Sequence, residues 1–277
     1  IKAVNNLPNN RIQGGPQFGR SIAIWGDTVV VGAPKEDGLQ TSITNGSTAT
    51  SLINDNINST DFSNASGAVY VYKITNGLWA QQAYIKSVNN GASIGNRNTK
   101  CCDEFGDQVD IDNNTIAVGT YTEDSNQNSI TNGVSASTDN SLSASGAVYI
   151  YHRSNTTWSQ QAYIKASNSS AEAYFGKSIS LSGDYLAVGS PREDSNQISI
   201  TNSSSSSSNT DKQDSGAVYI YKRDGNEWSQ SAYIKASNSD EFDYFGEHIA
   251  LSDDTLVVGV PYEDSNQKGI TNGSQTS

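Results

Sequence analysis

The stretch FGKSISLSGDYLAVGSPREDSNQISITN, Phe175 to Asn202, decides the fold, because the chain contains it four times. FGRSIAIWGDTVVVGAPKEDG begins at Phe18. FGDQVDIDNNTIAVGTYTEDSNQNSITN begins at Phe105, and FGEHIALSDDTLVVGVPYEDSNQKGITN begins at Phe245. Two further modules recur between these copies. SGAVYVYK at Ser66 returns as SGAVYIYH at Ser145 and SGAVYIYK at Ser215. LWAQQAYIKS at Leu78 returns as TWSQQAYIKA at Thr157 and EWSQSAYIKA at Glu227. The FG dipeptides are spaced by 87, 70 and 70 residues, and the longer first interval holds its insertions in loops. Self-similarity at such a period is the signature of a repeat architecture.

Each repeat holds four apolar segments, A to D, and all four read as strands. Segment A alternates with period two, with Ile179 and Leu181 on one face and Ser178 and Ser180 on the other. Segment B, YLAVGSP, is almost continuously apolar, the mark of a strand covered on both faces. Segment C places Val218 and Ile220 on one face and Ala217, Tyr219 and Tyr221 on the other. Segment D opens on Trp79, Trp158 or Trp228, which are expected in the core between repeats. No useful helical periodicity occurs. The A–B hairpins are expected at about 18–34, 105–121, 175–191 and 245–261, and the C–D hairpins at about 66–87, 145–166 and 215–236.

The connections are of two kinds. A to B and C to D are short hairpin turns, such as Gly183–Asp184 and RDGNE at 223–227. B to C and D to A are long and rich in Asn and Ser, with six consecutive serines at 203–208. In an up-and-down sheet, alternate connections lie at opposite ends. One end is therefore trimmed and the other elaborated, and elaborated loops on a rigid scaffold commonly carry function. Stacking such four-stranded units about an axis buries both faces of every sheet. The expected fold is all-β, a β-propeller of four-stranded antiparallel blades in one repeat domain over 1–277, present in part.

Composition narrows the partners. The net charge is −12, which argues against nucleic acid and against an anionic membrane surface. No apolar run is long enough to span a membrane, so no membrane insertion is expected. Met is absent, which suggests that the natural start lies upstream or was removed with a signal peptide. Cys101 and Cys102 are adjacent and cannot staple a long loop. A vicinal disulfide, cross-links to other chains and free thiols all remain open, and zinc spacing is absent.

The acidic pairs after segment B are the leading site candidates: Glu36–Asp37, Glu123–Asp124, Glu193–Asp194 and Glu263–Asp264. Each would stand at the same height on the loop-rich face. Asp with nearby Asn, Ser and backbone oxygens suits Ca²⁺, with Asp37, Asp124, Asp194 and Asp264 as ligands. The plainer alternative is that Asp and Asn cap the turn through bonds to their own backbone. Tyr174 and Tyr244, which precede FG, either stack on sugars or pack between repeats. His152 and His248 lie at unrelated repeat positions, so no hydrolytic triad is suggested. Adjacent carboxylates repeated four times look structural rather than glycosidic.

FG followed by VGAP, Val31 to Pro34, resembles the FG-GAP repeat of integrin α-subunit propellers and their bacterial relatives. VGTY, VGSP and VGVP are degenerate copies. The resemblance covers nearly the whole chain. It implies a propeller, typically of seven blades, in a secreted or surface protein, with ligands held on the loop-rich face. Integrin-type blades often carry a calcium loop between strands A and B. Here that connection is too short, so calcium at that site is not carried over.

These readings lead to an extracellular or cell-surface module of a secreted, bacterial-type protein that binds a surface glycan or protein ligand. The alternative is a structural repeat that self-assembles into a homo-oligomer, fibre or surface layer through open blade edges. A carbohydrate-active enzyme comes third, and no catalytic activity is expected.

Overall fold

The computed structural model describes residues 17–36, 38, 40–47, 66–89, 103–266 and 268–273. Among them are three antiparallel sheets of five strands and one two-stranded hairpin, with no helix. The first sheet holds β1 (Ile22–Trp25), β2 (Thr28–Ala33), β3 (Thr44–Asn45), β4 (Ala68–Thr75) and β5 (Leu78–Ile85), in the order β1-β2-β4-β5-β3. The second repeats this order with β6 (Gln108–Asp112), β7 (Thr115–Thr120), β8 (Thr131–Asn132), β9 (Ala147–Ser154) and β10 (Thr157–Ile164). The third uses β11 (Ser178–Ser182), β12 (Tyr185–Ser190), β13 (Ile200–Thr201), β14 (Ala217–Asp224) and β15 (Glu227–Ile234). The hairpin is β16 (His248–Ser252) and β17 (Thr255–Gly259).

The four expected strands form in each complete sheet, but the blade is not four-stranded. The ITN motif of the B–C loop folds back and adds a fifth strand of two residues to the outer edge, as in Thr131↔Tyr163 and Asn132↔Ala162. An outer strand alone would expose a row of unpaired backbone groups, and the loop covers part of it.

The core lies between sheets. One face of the second sheet, with Val148, Ile150, Ala162 and Ile164, packs on Phe175, Leu181, Tyr219, Tyr221, Trp228 and Tyr233 of the third. Val30, Val69, Val71 and Ile85 of the first sheet meet Phe105, Val109, Ile111, Tyr149, Tyr151 and Trp158 of the second in the same way. Each sheet thus has an aliphatic face and an aromatic face, joined head to tail. The A strands of successive sheets lie closest together, and the sheets fan outward from them. Asp110 Oδ2 accepts from the Leu181 backbone N–H at 2.7 Å, and Ser180 Oγ accepts from Leu251 N–H at 3.0 Å, tying these inner strands.

The FG and VG dipeptides are the joint. Phe105 lays its ring edge-on against Tyr149 of its own sheet at 5.3 Å, while its backbone bridges to Gly67 of the sheet before. A Cβ on Gly32 would overlap the Gly106 carbonyl oxygen, and Gly119 and Gly189 stand in the same relation to Gly176 and Gly246. Glycine is required there because one backbone lies against another.

Trp158 and Trp228 are buried at 1% and 2% exposure, as expected for core residues between repeats. Trp79 is 41% exposed, because no described sheet precedes its own. Each D strand carries a bulge, which leaves Gln82, Gln161 and Ser231 in turn out of the pairing register. The bulge aims the two glutamines at the next sheet, where Gln82 Oε1 accepts from Trp158 Nε1 at 2.9 Å and Gln161 Oε1 from Trp228 Nε1 at 2.8 Å.

Candidate functional site

The acidic pairs divide. Glu36, Glu123 and Glu193 are buried, and each meets the lysine that ends the YIK motif of its own sheet. Lys86, Lys165 and Lys235 approach at 2.8, 2.7 and 2.8 Å. Each lysine also donates to the serine of SGA at 2.7 Å, namely Ser66, Ser145 and Ser215. The YIK tyrosine completes the cluster, with Tyr84 and Tyr163 each donating to the glutamate at 2.8 Å. Burial pulls the three lysines below the usual lysine range, against the attraction of the glutamates. Burial and the adjacent glutamate together push the tyrosines up. These glutamates fasten the start of the B–C loop and are turned away from the loop-rich surface.

The aspartates hold the loop from the other side. Asp124 Oδ1 accepts from Ala144 N–H at 2.6 Å, and Asp194 Oδ1 from Asp214 N–H at 2.8 Å. In the last copy both acids are exposed, and Glu263 accepts from Asn238, Ser265 N–H and Ser265 Oγ. Among the described residues, no three His, Cys, Asp or Glu are grouped for a metal. Asp37, Cys101 and Cys102 lie outside the described residues.

Asparagines couple one sheet to the next. Asn168 donates to Glu193 at 2.9 Å and accepts from Tyr219 Oη at 2.5 Å, both in the third sheet. Asn89 does the same for Glu123 and Tyr149. The ITN asparagine acts as a clamp. Asn132 Nδ2 donates to the Trp228 carbonyl at 3.2 Å, and its Oδ1 accepts from Trp228 N–H at 2.9 Å. Asn45 grips Trp158 likewise. The lysine, serine and asparagine partners escape a reading of single motifs. Their signal was the joint recurrence of ED, SGA and YIK in the three complete repeats.

The inner rim at the loop-rich end differs in sequence from repeat to repeat. Between the first and second sheets, Arg20 pairs with Asp107 at 3.2 Å and Lys35 with Glu104 at 3.6 Å. Beyond this, the rim turns aromatic. Tyr121 and Tyr174 meet at 5.2 Å, and Tyr244 and Tyr262 at 5.3 Å. Lys177 lies 4.0 Å over the Tyr121 ring, and Arg192 lies over Tyr174 at 4.5 Å and Tyr244 at 6.0 Å. Burial first, then Glu104 and Asp107, pushes the Tyr121 hydroxyl up to about 12. Tyr174 and Tyr244 are therefore half-buried in a ladder that crosses between sheets at the rim, outside the aliphatic–aromatic cores.

Repeated antiparallel sheets packed face to face about their first strands define a partial β-propeller. The sequence profile of the FG-GAP repeat matches residues 12–49, 158–221 and 228–275. The chain belongs to the FG-GAP repeat family. No curated protein matches the chain. Among the described residues, no helix is long and apolar enough to cross a membrane.

Proposed function

We propose that this chain is an extracellular or cell-surface binding module, used for adhesion and without catalytic activity, that presents its Asn/Ser-rich loops on one propeller face to a surface glycan or protein. One observation carries the reading. The connections at one end are two-residue turns, whereas at the other end the B–C loop of each complete sheet is anchored by a buried Glu–Lys–Ser–Tyr cluster, and those of the first and second sheets also clamp the neighbouring sheet. Such anchoring lets a long loop hold one shape, which lowers the ordering cost of binding. Family membership supports a binding role, and the secreted setting is the one in which such repeats are typically found. The test is retention of chain-coated beads on glycan and cell surfaces. Replacing the exposed Ser203, Ser204 and Ser205 with bulky residues should reduce retention, and equal changes at the short turns should not. Retention insensitive to both would refute the proposal.

A second reading is head-to-tail assembly into a fibre or layer. Ile22 and Ile24 of the first sheet are 64% and 65% exposed, whereas their equivalents Val109 and Ile111 are buried against a preceding sheet. Sedimentation velocity over a range of concentrations tests it. A monomer throughout would remove it.

A further inference from the structure

We propose that the aromatic rim across the second and third sheets and the hairpin binds an acidic saccharide, a pyranose carrying carboxylate or sulfate, through Lys177, Arg192, Tyr174 and Tyr262. The inference rests on the binding role proposed above and gives it a ligand class and a place.

The first argument is a comparison within the molecule. Residues 104, 174 and 244 occupy one repeat position, directly before the phenylalanine of FG. Residues 35, 122, 192 and 262 occupy another, three residues beyond the glycine of the strand-B VG dipeptide. At the first interface these positions hold Glu104 and Lys35, which pair with each other. Asp107, which pairs with Arg20, is replaced in the next repeat by Lys177. At the second interface the places of Glu104 and Asp107 are thus taken by Tyr174 and Lys177, and that of Lys35 by Thr122; at the third, Arg192 faces Tyr244, with Glu247 at the Asp107 position. Neither Lys177 nor Arg192 has a carboxylate within 4.0 Å among the described residues. Asp214 feels the Arg192 charge but lies beyond ion-pair distance, with its Oδ2 3.4 Å from the Tyr244 hydroxyl. In a chain of net charge −12, two unpaired cations at one rim leave a local demand for an anion.

The second argument is the backbone. Tyr174 and Tyr244 have φ of 57° and 56°, in the left-handed region that bulky residues avoid. The fold enforces it through Tyr174 N–H to the Ala144 carbonyl at 3.2 Å and Lys177 N–H to the Tyr174 carbonyl at 3.1 Å. A glycine or asparagine would satisfy that geometry at less strain. Gln17 and Glu104, at the same position of the first two copies, both have φ of 51°, so the turn imposes this backbone in every repeat and fixes the place on the rim of whatever side chain stands there.

The third argument is the matching chemistry. Tyr262 is 68% exposed and extends the ladder beyond Tyr244, offering an apolar face to the C–H face of a sugar ring. Arg192, whose guanidinium carbon lies 4.5 Å from the centre of the Tyr174 ring, can turn its N–H groups to a carboxylate or sulfate. Lys177 supplies a second point charge over Tyr121, the other ring of the same tyrosine pair.

The test uses the full chain and calorimetric titration with three probes: a galacturonate oligomer, a heparin oligomer and a neutral maltose oligomer. The acidic probes should bind, more weakly as salt rises, and the neutral one should not. Arg192→Gln and Lys177→Gln should each weaken binding roughly tenfold or more, the loss expected for a charged hydrogen bond. Tyr262→Ala should weaken it several-fold. Lys35→Gln, at the ion-paired interface, should leave affinity unchanged, and near-ultraviolet circular dichroism should confirm that each variant is folded. Equal binding of neutral and acidic probes would overturn the inference, as would acidic binding that survives the Arg192→Gln/Lys177→Gln pair. A chain that is retained on surfaces but ignores both acidic probes would sink this inference alone. A chain that binds no surface at all would sink the proposed function with it.

Discussion

Replacing Lys165 with Met should cost far more than an ion pair usually does. The side chains of Lys165 and Glu123 are both at 0% exposure, with Nζ 2.7 Å from Oε2. Without the lysine, Glu123 keeps Tyr163 Oη at 2.8 Å and Ser125 N–H at 3.1 Å, but its charge stays buried with no counter-charge. Removing one partner of a buried pair costs about 3–5 kcal/mol. The partly exposed pair Lys212–Asp240, at 3.4 Å, provides the control, and Lys212→Met should cost no more than about 1 kcal/mol through its charge. Joint replacement of Glu123 by Leu and Lys165 by Met should cost less than Lys165→Met alone. It removes the stranded charge and leaves the Ser125 N–H without its acceptor, at about 1–3 kcal/mol, while the Ser145 and Tyr163 hydroxyls keep Ser125 as a partner. Burial depresses Lys165 even against Glu123, so the pair gains little by being charged and loses much by being broken. Urea unfolding followed by tryptophan fluorescence measures the totals, and amide exchange in the second sheet localises them. A Lys165→Met loss below about 1 kcal/mol, or a double variant worse than the single, would refute the reasoning.

Gly189→Ala should cost at least about 2 kcal/mol and loosen the 245–259 hairpin in amide exchange, because its Cβ would overlap the Gly246 carbonyl. Gly183→Ala, in open space at φ of 57°, should cost about 1 kcal/mol and leave that hairpin protected. Asn132→Ala strands the Trp228 backbone N–H and carbonyl and should cost about 1–3 kcal/mol, seen first as faster exchange of the Trp228 amide. His152 has its Nδ1 buried without a hydrogen-bond partner, and its pKa is pushed down by burial first and then by Arg223 and Arg153. Its folded pKa lies below the unfolded value of about 6.5, so its contribution is full above that value and is lost as pH falls through the folded pKa. His152→Gln should therefore flatten the acid limb of a stability–pH curve, and superimposable limbs would count against this.

The strands were legible because their causes are local. Period-two alternation in SISLS, the unbroken apolar run of TIAVGT and the short turns each fix a strand without knowledge of its neighbours. The stacking of sheets followed from the aromatic and aliphatic faces of AVYIY. The fifth strand was not legible, because the ITN residues pair with an outer strand distant in sequence and lack an apolar pattern of their own. The acidic pairs were found but not their partners. Glu123 and Lys165 stand far apart in sequence, and only the pairing of β9 with β10 and the return of the loop bring them together. The rim was half visible. Tyr174 and Tyr244 stood out by position, but Arg192 and Lys177 gain meaning only where adjacent sheets place them over the rings.

The unlike faces of each sheet explain why duplication yields an ordered stack rather than an aggregate. The aliphatic face of the second sheet is built from Val148, Ile150 and Ile164, which leave room for large rings. The aromatic face of the third fills that room with Phe175, Tyr219, Tyr221 and Tyr233. Two aromatic faces brought together would overfill the gap, and two aliphatic faces would leave it empty, so both mispairings lose packing. Polar groups add a direction. The Gln161 acceptor meets the Trp228 indole, Asn132 meets the Trp228 backbone, and Gly189 admits the Gly246 carbonyl, each only when the later repeat follows the earlier one. Every joint therefore combines a volume match with contacts that a reversed pairing cannot form. With the scaffold determined so tightly, the rim residues are free to differ from copy to copy, and it is there that Lys35–Glu104 gives way to Arg192 and Tyr244.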